Sequence, residues 1–354
     1  MFPAHFLFHA GGTEAMRETC RQVRPFARKQ PCDLCRGDRF EVVGRTDRRG
    51  DFLTTVVCRQ CGLVSHGRIP SDDELAIYYA KNYRRDYHGE TTPSPHRVIR
   101  AWKNGQRLRQ LLQPYLRHAD RVFEVGAGIG CTVKAFELAG YDASGVEPNE
   151  GFRAFSRHQL RSKVYSGCLN DVDPQNPWDL VLLIHVIEHF NRPSDSLRTI
   201  HRLIKPGGRL YIECPNVAAP HAAPGKLFHF AHVYNFTPRT LSMIARATGF
   251  EVEAWLSAEQ DKELRVLLKR AEREQREIDP RSYAATLEGL NRFSYFNYHF
   301  RISYFFDRLC RLADHQSEHL FSRRRLRQII ARCQSHAEAA EPGTASAPAS
   351  RQAA

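Results

Sequence analysis

The sequence predicts an α/β fold: a mainly parallel sheet covered by helices on both faces, with a small cysteine-bearing module before it and a helical extension after it. Three observations carry this expectation. From residue 120 to about 256, short apolar strands alternate with amphipathic helical stretches, the pattern of a parallel sheet buried on both faces. The strand Val122-Phe-Glu-Val runs straight into Gly126-Ala-Gly-Ile-Gly130. Two Cys-x-x-Cys pairs lie within residues 31–66.

In chain order, residues 1–30 read as a flexible leader. They open on a short apolar stretch that contains histidines and lacks a basic region, so they do not read as a signal peptide. Residues 31–66 form the cysteine module: Phe40-Glu-Val-Val and Phe52-Leu-Thr-Thr-Val-Val read as strands around an Arg48-Arg-Gly-Asp turn. Residues 71–116 read as a basic helical linker with a cluster of tyrosines (Tyr78, Tyr79, Tyr83, Tyr87). Residues 117–256 hold the sheet, with strands at 121–125, 142–146, 163–166, 179–184, 208–213 and 250–255. Helices are expected between them, including 131–139, 194–204 and 238–247. Residues 257–335 read as helical and charged, with an aromatic patch at 293–306, and 336–354 as a disordered Ala/Ser/Pro-rich tail.

The chain has 354 residues, 42% hydrophobic and 26% charged, enough for a packed core. No apolar run is long enough to span a bilayer. The ten cysteines and the lack of an export signal place the chain in a reducing cytoplasm, where paired cysteines are more often metal ligands than disulfides. Its net charge of +13, from 52 Lys+Arg against 39 Asp+Glu, allows an anionic partner. The charge is spread over two Arg-rich pieces, 97–109 and 323–332, which argues only weakly for nucleic acid.

The glycine run allows a tight turn and close approach of a ligand, and the helix after it offers unpaired N–H groups. Alone, that pattern is common in α/β proteins. Here Glu147 stands at the end of the next strand, where a carboxylate can accept both hydroxyls of a ribose. Glu124, two residues before Gly126, suits the ammonium group of an amino-acid ligand.

On these residues the chain resembles the class I S-adenosylmethionine (SAM)-dependent methyltransferases over residues about 100–256. The matching pieces are Glu-Val-Gly-Ala-Gly-Ile-Gly (124–130), Gly-Val-Glu-Pro-Asn (145–149), Trp-Asp-Leu-Val-Leu-Leu-Ile-His-Val-Ile-Glu-His (178–189) and Leu-Ile-Lys-Pro-Gly-Gly-Arg-Leu-Tyr-Ile-Glu-Cys-Pro-Asn (203–216). The resemblance implies a Rossmann-like methyltransferase sheet. It also implies that Gly126, Gly128 and Gly130 line the methionine and ribose and that Glu147 takes the ribose hydroxyls. Cys168 and Leu169 would lie near the adenine, and His185 would face the sulfonium end.

Cys32-Asp-Leu-Cys35 and Cys58-Arg-Gln-Cys61 present four thiolates on two turns, the donor set of a closed, structural Zn²⁺ site. A four-cysteine module before such a domain resembles bacterial methyltransferases associated with sugar and polysaccharide pathways. The acceptor expected from that resemblance is a hydroxyl or carbon of a sugar, glycan precursor or related small molecule.

A general base helps methylation of such a group. The candidates are His189, His232 and Tyr234, with His185, Glu188, His221 and His229 nearby in sequence. His185, Glu188 and His189 are also spaced i, i+3, i+4, and a later histidine would complete a metal set. Small-RNA 2′-O-methyltransferases and ubiquinone-pathway O-methyltransferases use a similar Glu-x-x-Glu-His arrangement, whose first position is His185 here. RNA-terminus methylation and a non-catalytic SAM-binding adaptor therefore stand as alternatives. The aromatic C-terminal helices offer a surface for self-association or for peripheral membrane contact.

Overall fold

The computed structural model describes residues 30–78, 92–219, 222–223, 225–292, 294–300 and 322–340. The leader, Tyr79, Tyr83, Tyr87, His221, most of the 293–306 aromatic patch and residues 341–354 lie outside the described residues.

Two sheets form the framework. The larger has seven strands, lying side by side in the order β10 (Phe250–Trp255), β11 (Glu263–Arg270), β8 (Ile204–Pro215), β7 (Trp178–Ile184), β4 (Arg121–Val125), β5 (Asp142–Val146) and β6 (Val164–Tyr165). Its parallel part is β4, β5, β6, β7 and β8. Buried on both faces, β7 is an unbroken apolar run: Leu180, Val181, Leu182 and Leu183 are all fully inaccessible. On one face Phe123, Val125, Val181 and Leu183 pack with Leu197 and Ile200 of the helix Pro193–Leu203 and Leu241 and Ile244 of the helix Pro238–Arg246. On the other, Val122, Leu180, Leu182 and Tyr211 pack with Leu108 and Leu112 of the helix Pro95–Leu112 and Val133 and Phe136 of the helix Cys131–Glu137.

Strand order reverses between β4 and β7: the chain runs outward from β4 to β5 and β6, then returns to β7 and continues to β8. Open α/β sheets bind ligands at the carboxyl ends of strands at such a switch point. Gly126 follows β4 there, and His185 follows β7.

The smaller sheet belongs to the cysteine module. Strands β1 (Phe40–Thr46) and β2 (Phe52–Cys58) form an antiparallel hairpin, with Gly50 N–H donating to Asp47 O in its turn. Strand β3 (Val64–His66) pairs with β2, and its other edge takes β9 (Tyr234–Asn235) from the segment before the helix Pro238–Arg246. The module and the larger sheet are therefore joined by a shared sheet rather than only by packing.

Two expectations change. Residues 257–335 read as helical, but Glu263–Arg270 is a strand, β11, lying antiparallel between β8 and β10 (Phe250–Trp255). Leu264, Val266, Leu267 and Leu268 are fully buried, and that burial overrides the helical tendency of the surrounding charged sequence. Helices follow at Ser282–Asn291, Tyr295–His299 and Ser322–Ala340. The last of these runs into 336–340, expected as disordered, because Ala-Glu-Ala-Ala continues a good helix sequence. Its Leu326, Ile329, Ile330 and Cys333 pack beside Val98 and Trp102, while Arg323, Arg324, Arg325 and Arg327 face solvent. Among the described residues no helix is long and apolar enough to cross a membrane.

Candidate active site

The turn after β4 is tied to β5: the N–H groups of Gly126 and Ala127 both donate to Val146 O at 2.9 Å. Gly130 then starts the next helix at φ 78°, and a Cβ there would fall 2.0 Å from Ser156 Oγ. Only glycine fits both the left-handed backbone and the contact. Gly128, at φ 54°, differs: a Cβ there would meet nothing within 4 Å, so the middle of the turn faces open space.

Glu147 closes this space from the end of β5. Its carboxylate accepts from Gly128 N–H at 2.8 Å through Oε2 and from Asn149 N–H at 2.7 Å through Oε1. Each oxygen keeps a further lone pair for a ligand. Burial pushes the Glu147 carboxyl up, and those two N–H donors oppose it. Glu124 is more enclosed. Burial raises its pKa well above the usual carboxylate range, the Thr132 hydroxyl and Val133 amide oppose that, and Oε2 has no hydrogen-bond partner among the described residues. Beyond Glu147, Cys168 N–H donates to Asp171 Oδ2 at 2.8 Å, which holds exposed Cys168 and buried Leu169 in a tight turn.

Across the switch point, His185 adopts φ 54°, a left-handed conformation rare for a residue with a Cβ, and such strain clusters at functional sites. Its N–H donates to Glu213 O, its Nδ1 lies 3.5 Å from Glu188 Oε1, and its Nε2 lies 3.9 Å from Glu263 Oε2. Burial opposes a charge on this imidazole, but Glu188, Glu263 and Glu213 together push its pKa up to about 9.

Glu188 is 2% exposed, and neither carboxylate oxygen has a hydrogen-bond partner among the described residues. Burial favours its neutral form, yet His185, His189 and His232 hold its pKa down to about 2. His189 donates from Nδ1 to Ala231 O at 2.8 Å, which leaves its Nε2 as the lone-pair nitrogen. Its ring meets His232 edge-on at 5.1 Å, and burial lowers the pKa of both, His232 especially. Two neutral imidazoles thus flank a buried carboxylate. Ligand atoms of Glu188, His189 and His232 lie within 4.8 Å of one another.

Residues 96–254, the segment that holds both clusters, match the family model of a methyltransferase domain. This segment is a methyltransferase domain. Among curated proteins it is similar to the ubiquinone biosynthesis O-methyltransferase of Pseudomonas syringae pv. tomato, 29% identical over 126 residues, 34% of this chain and 54% of that protein. The enzyme of the same name from Pseudomonas aeruginosa is 29% identical over 103 residues, 27% of this chain and 44% of its own. The chain thus spans about half the length of the curated relatives it matches. Among solved structures, 1,6-didemethyltoxoflavin-N1-methyltransferase of Burkholderia thailandensis aligns over 59% of this chain and 96% of its own, at 18% identity and TM-score 0.45. The magnesium protoporphyrin IX methyltransferase of Synechocystis PCC 6803 aligns over 57% and 100%, at 15% identity and TM-score 0.41.

The methyltransferase domain brings Glu124, Gly126, Gly128, Gly130 and Glu147 to one side of the switch point, with Cys168 and Leu169 on the strand-end turn beyond. It brings His185, Glu188, His189 and His232 to the other. Tyr234 lies beside them at 2% exposure: its backbone pairs with Ser65 as part of β9, which packs against the turn Ile187–His189.

Three residues of the site escaped the sequence reading. Glu213 accepts from Tyr211 OH at 2.6 Å and pairs with Arg107 and Arg265 at 3.3 and 3.4 Å. Glu263 and Arg265 come from β11, the strand read as helix, so no pattern placed Glu263 beside His185 or Arg265 beside Glu213. Glu213 stood inside the Ile-Glu-Cys-Pro stretch, where an acid interrupting a buried strand was the available signal.

The four cysteines of the module also converge. Cys32 Sγ and Cys61 Sγ are 3.5 Å apart, as are Cys35 Sγ and Cys58 Sγ, and all four lie within 4.8 Å of one another. Four thiolates at ~2.3 Å from one zinc ion sit about 3.8 Å apart, so the spacing and donor chemistry fit.

Proposed function

We propose that this protein is a SAM-dependent methyltransferase whose acceptor is a hydroxyl or carbon of a sugar, glycan precursor or related small molecule. The observation that carries the reading is Glu147, held by the Gly128 and Asn149 amides beside the open turn at the switch point. SAM supplies a methyl group on a sulfonium: the C–S bond breaks as the bond to the acceptor forms, and S-adenosylhomocysteine leaves. The chain's own residues hold the cofactor by its ribose and orient the acceptor, the main contributions to an in-line transfer. His232 or His189, both kept neutral by burial, takes the proton that the acceptor loses. The O-methyltransferase names of the curated relatives support a hydroxyl over a carbon. The cysteine centre supports a structural Zn²⁺.

A second reading rests on the unsatisfied carboxylate of Glu188 between two imidazoles, a donor set that fits a divalent cation. Such a cation would acidify an acceptor hydroxyl. Glu188, His189 and His232 would supply three protein ligands to that cation.

Labelled SAM incubated with the protein and fractionated small-molecule extract, followed by mass spectrometry, tests the proposal. Methyl label should appear in a sugar-bearing or hydroxylated small molecule. Loss of activity with chelator, restored by divalent metal, favours the second reading. Label in RNA, with binding that weakens steeply with salt, contradicts the small-molecule acceptor. SAM binding with no labelled product points to an adaptor.

A further inference from the structure

The cysteine module and the histidine cluster are joined at two points, one from each knuckle. In the first knuckle, Asp33 lies between Cys32 and Cys35 and is 8% exposed. Its Oδ2 accepts from Ser194 N–H at 2.8 Å, and Ser194 Oγ donates to its carbonyl at 3.1 Å. Ser194 is in the first turn of the helix Pro193–Leu203, whose own N-cap residue, Arg192, makes no side-chain cap. Asp33 supplies the missing acceptor from a distant part of the chain. That helix directly follows the turn carrying Glu188 and His189.

The second knuckle leads into β3. Gly62 N–H donates to Cys58 O and Cys58 N–H to Leu63 O; Val64 and Ser65 then pair with Asn235 and Tyr234. His66 N–H donates to Val233 O at 2.9 Å, and His66 Nε2 lies 3.4 Å from His229 O. The segment gripped here, 229–235, contains His232. The two gripped segments then meet through His189 and Ala231.

We infer that the four-cysteine centre is a positioning device for the acceptor side of the site: it sets the separation of His189 and His232 by holding one through Asp33 and the other through β3. Joining the knuckles holds both anchors in register; opening the centre frees both. The cofactor turn is tied instead to β5, through Val146 and Glu147, and does not depend on this device. The inference rests on the proposed acceptor-side role of these histidines, but its test needs no acceptor. Asp33 is a positioning residue.

Amide hydrogen exchange of the full chain, read with SAM calorimetry and metal analysis, tests it. Asp33→Ala should speed exchange in 187–197 about fivefold, the scale of a lost helix cap, while 229–236, still held by β3, keeps its protection. Metal content and SAM affinity should stay within about twofold. Asp33→Asn keeps an acceptor oxygen and should restore protection. Chelating the cysteine-bound metal should speed exchange in both segments and leave 124–130 unchanged. Unchanged protection in 229–236 after chelation overturns the inference. So does Asp33→Asn behaving like Asp33→Ala, or a fall in SAM affinity that tracks the loss of protection. Wild-type protein that binds no SAM would defeat the proposed function while leaving the exchange result to decide this one.

Discussion

Gly130 and His185 are the two places where single residues carry the site's geometry. Substituting Gly130 by Ala would combine a left-handed backbone with a Cβ placed 2.0 Å from Ser156 Oγ. A loss of ~1–3 kcal/mol in urea unfolding is expected, with weakened cofactor binding. For His185 the sign of the pH effect follows from its environment. Its pKa rises from an ordinary 6.5 to about 9, so its pairing with Glu188 stabilises the fold fully below 6.5 and fades as pH passes about 9. Glu188, lowered from 4.5 to about 2, contributes above 4.5 and fades as pH falls through about 2. In metal-free protein, His185→Ala should therefore destabilise at pH 6 and much less at pH 10. An equal loss at both values in denaturant titrations would contradict the pairing. His232→Ala should lower turnover by ~10²-fold or more while leaving SAM affinity within about twofold; unaltered turnover would remove it from the chemistry.

At the scale of elements, β11 shows where a sequence pattern stops being informative. Glu-Leu-Arg-Val-Leu-Leu-Lys-Arg has charges at both ends and lies in a charged stretch, which reads as an amphipathic helix. Its environment decides otherwise: β8 and β10 each leave an edge to be paired, and a strand between them satisfies both. Leu267 is fully buried beside Tyr211, so Leu267→Ala should cost ~2–5 kcal/mol, measured by thermal or urea unfolding. A solvated helix at this position would lose under ~0.5 kcal/mol. The same strand delivers Glu263 to His185, so a misread element also hid a site residue. By contrast β4, β5, β7 and their glycine turn were legible, because a buried apolar run ending in Gly-x-Gly-x-Gly admits few other structures.

Across the whole molecule, the two knuckles and the cofactor turn could be read from spacing, since each depends on residues close in sequence. What could not be read was how the parts meet. Nothing in Tyr234-Asn235 announces a strand for the cysteine module, and nothing in Asp33 announces a cap for a helix 160 residues later; both are long-range pairings visible only in the fold. Because the module shares that sheet, Cys58→Ser should abolish the zinc binding proposed for the four cysteines and loosen 229–236, read by metal analysis and amide exchange. Retained metal would count against the four-cysteine site.

The cofactor claim underlies all of this, and calorimetric titration of SAM into wild-type and Glu147→Ala protein tests it most directly. Wild type should bind one SAM per chain, and removing the carboxylate between Gly128 and Asn149 should weaken binding by ~10²-fold or abolish it, a loss of about 3 kcal/mol or more. Equal affinity in the two proteins, or no binding to either, would contradict it.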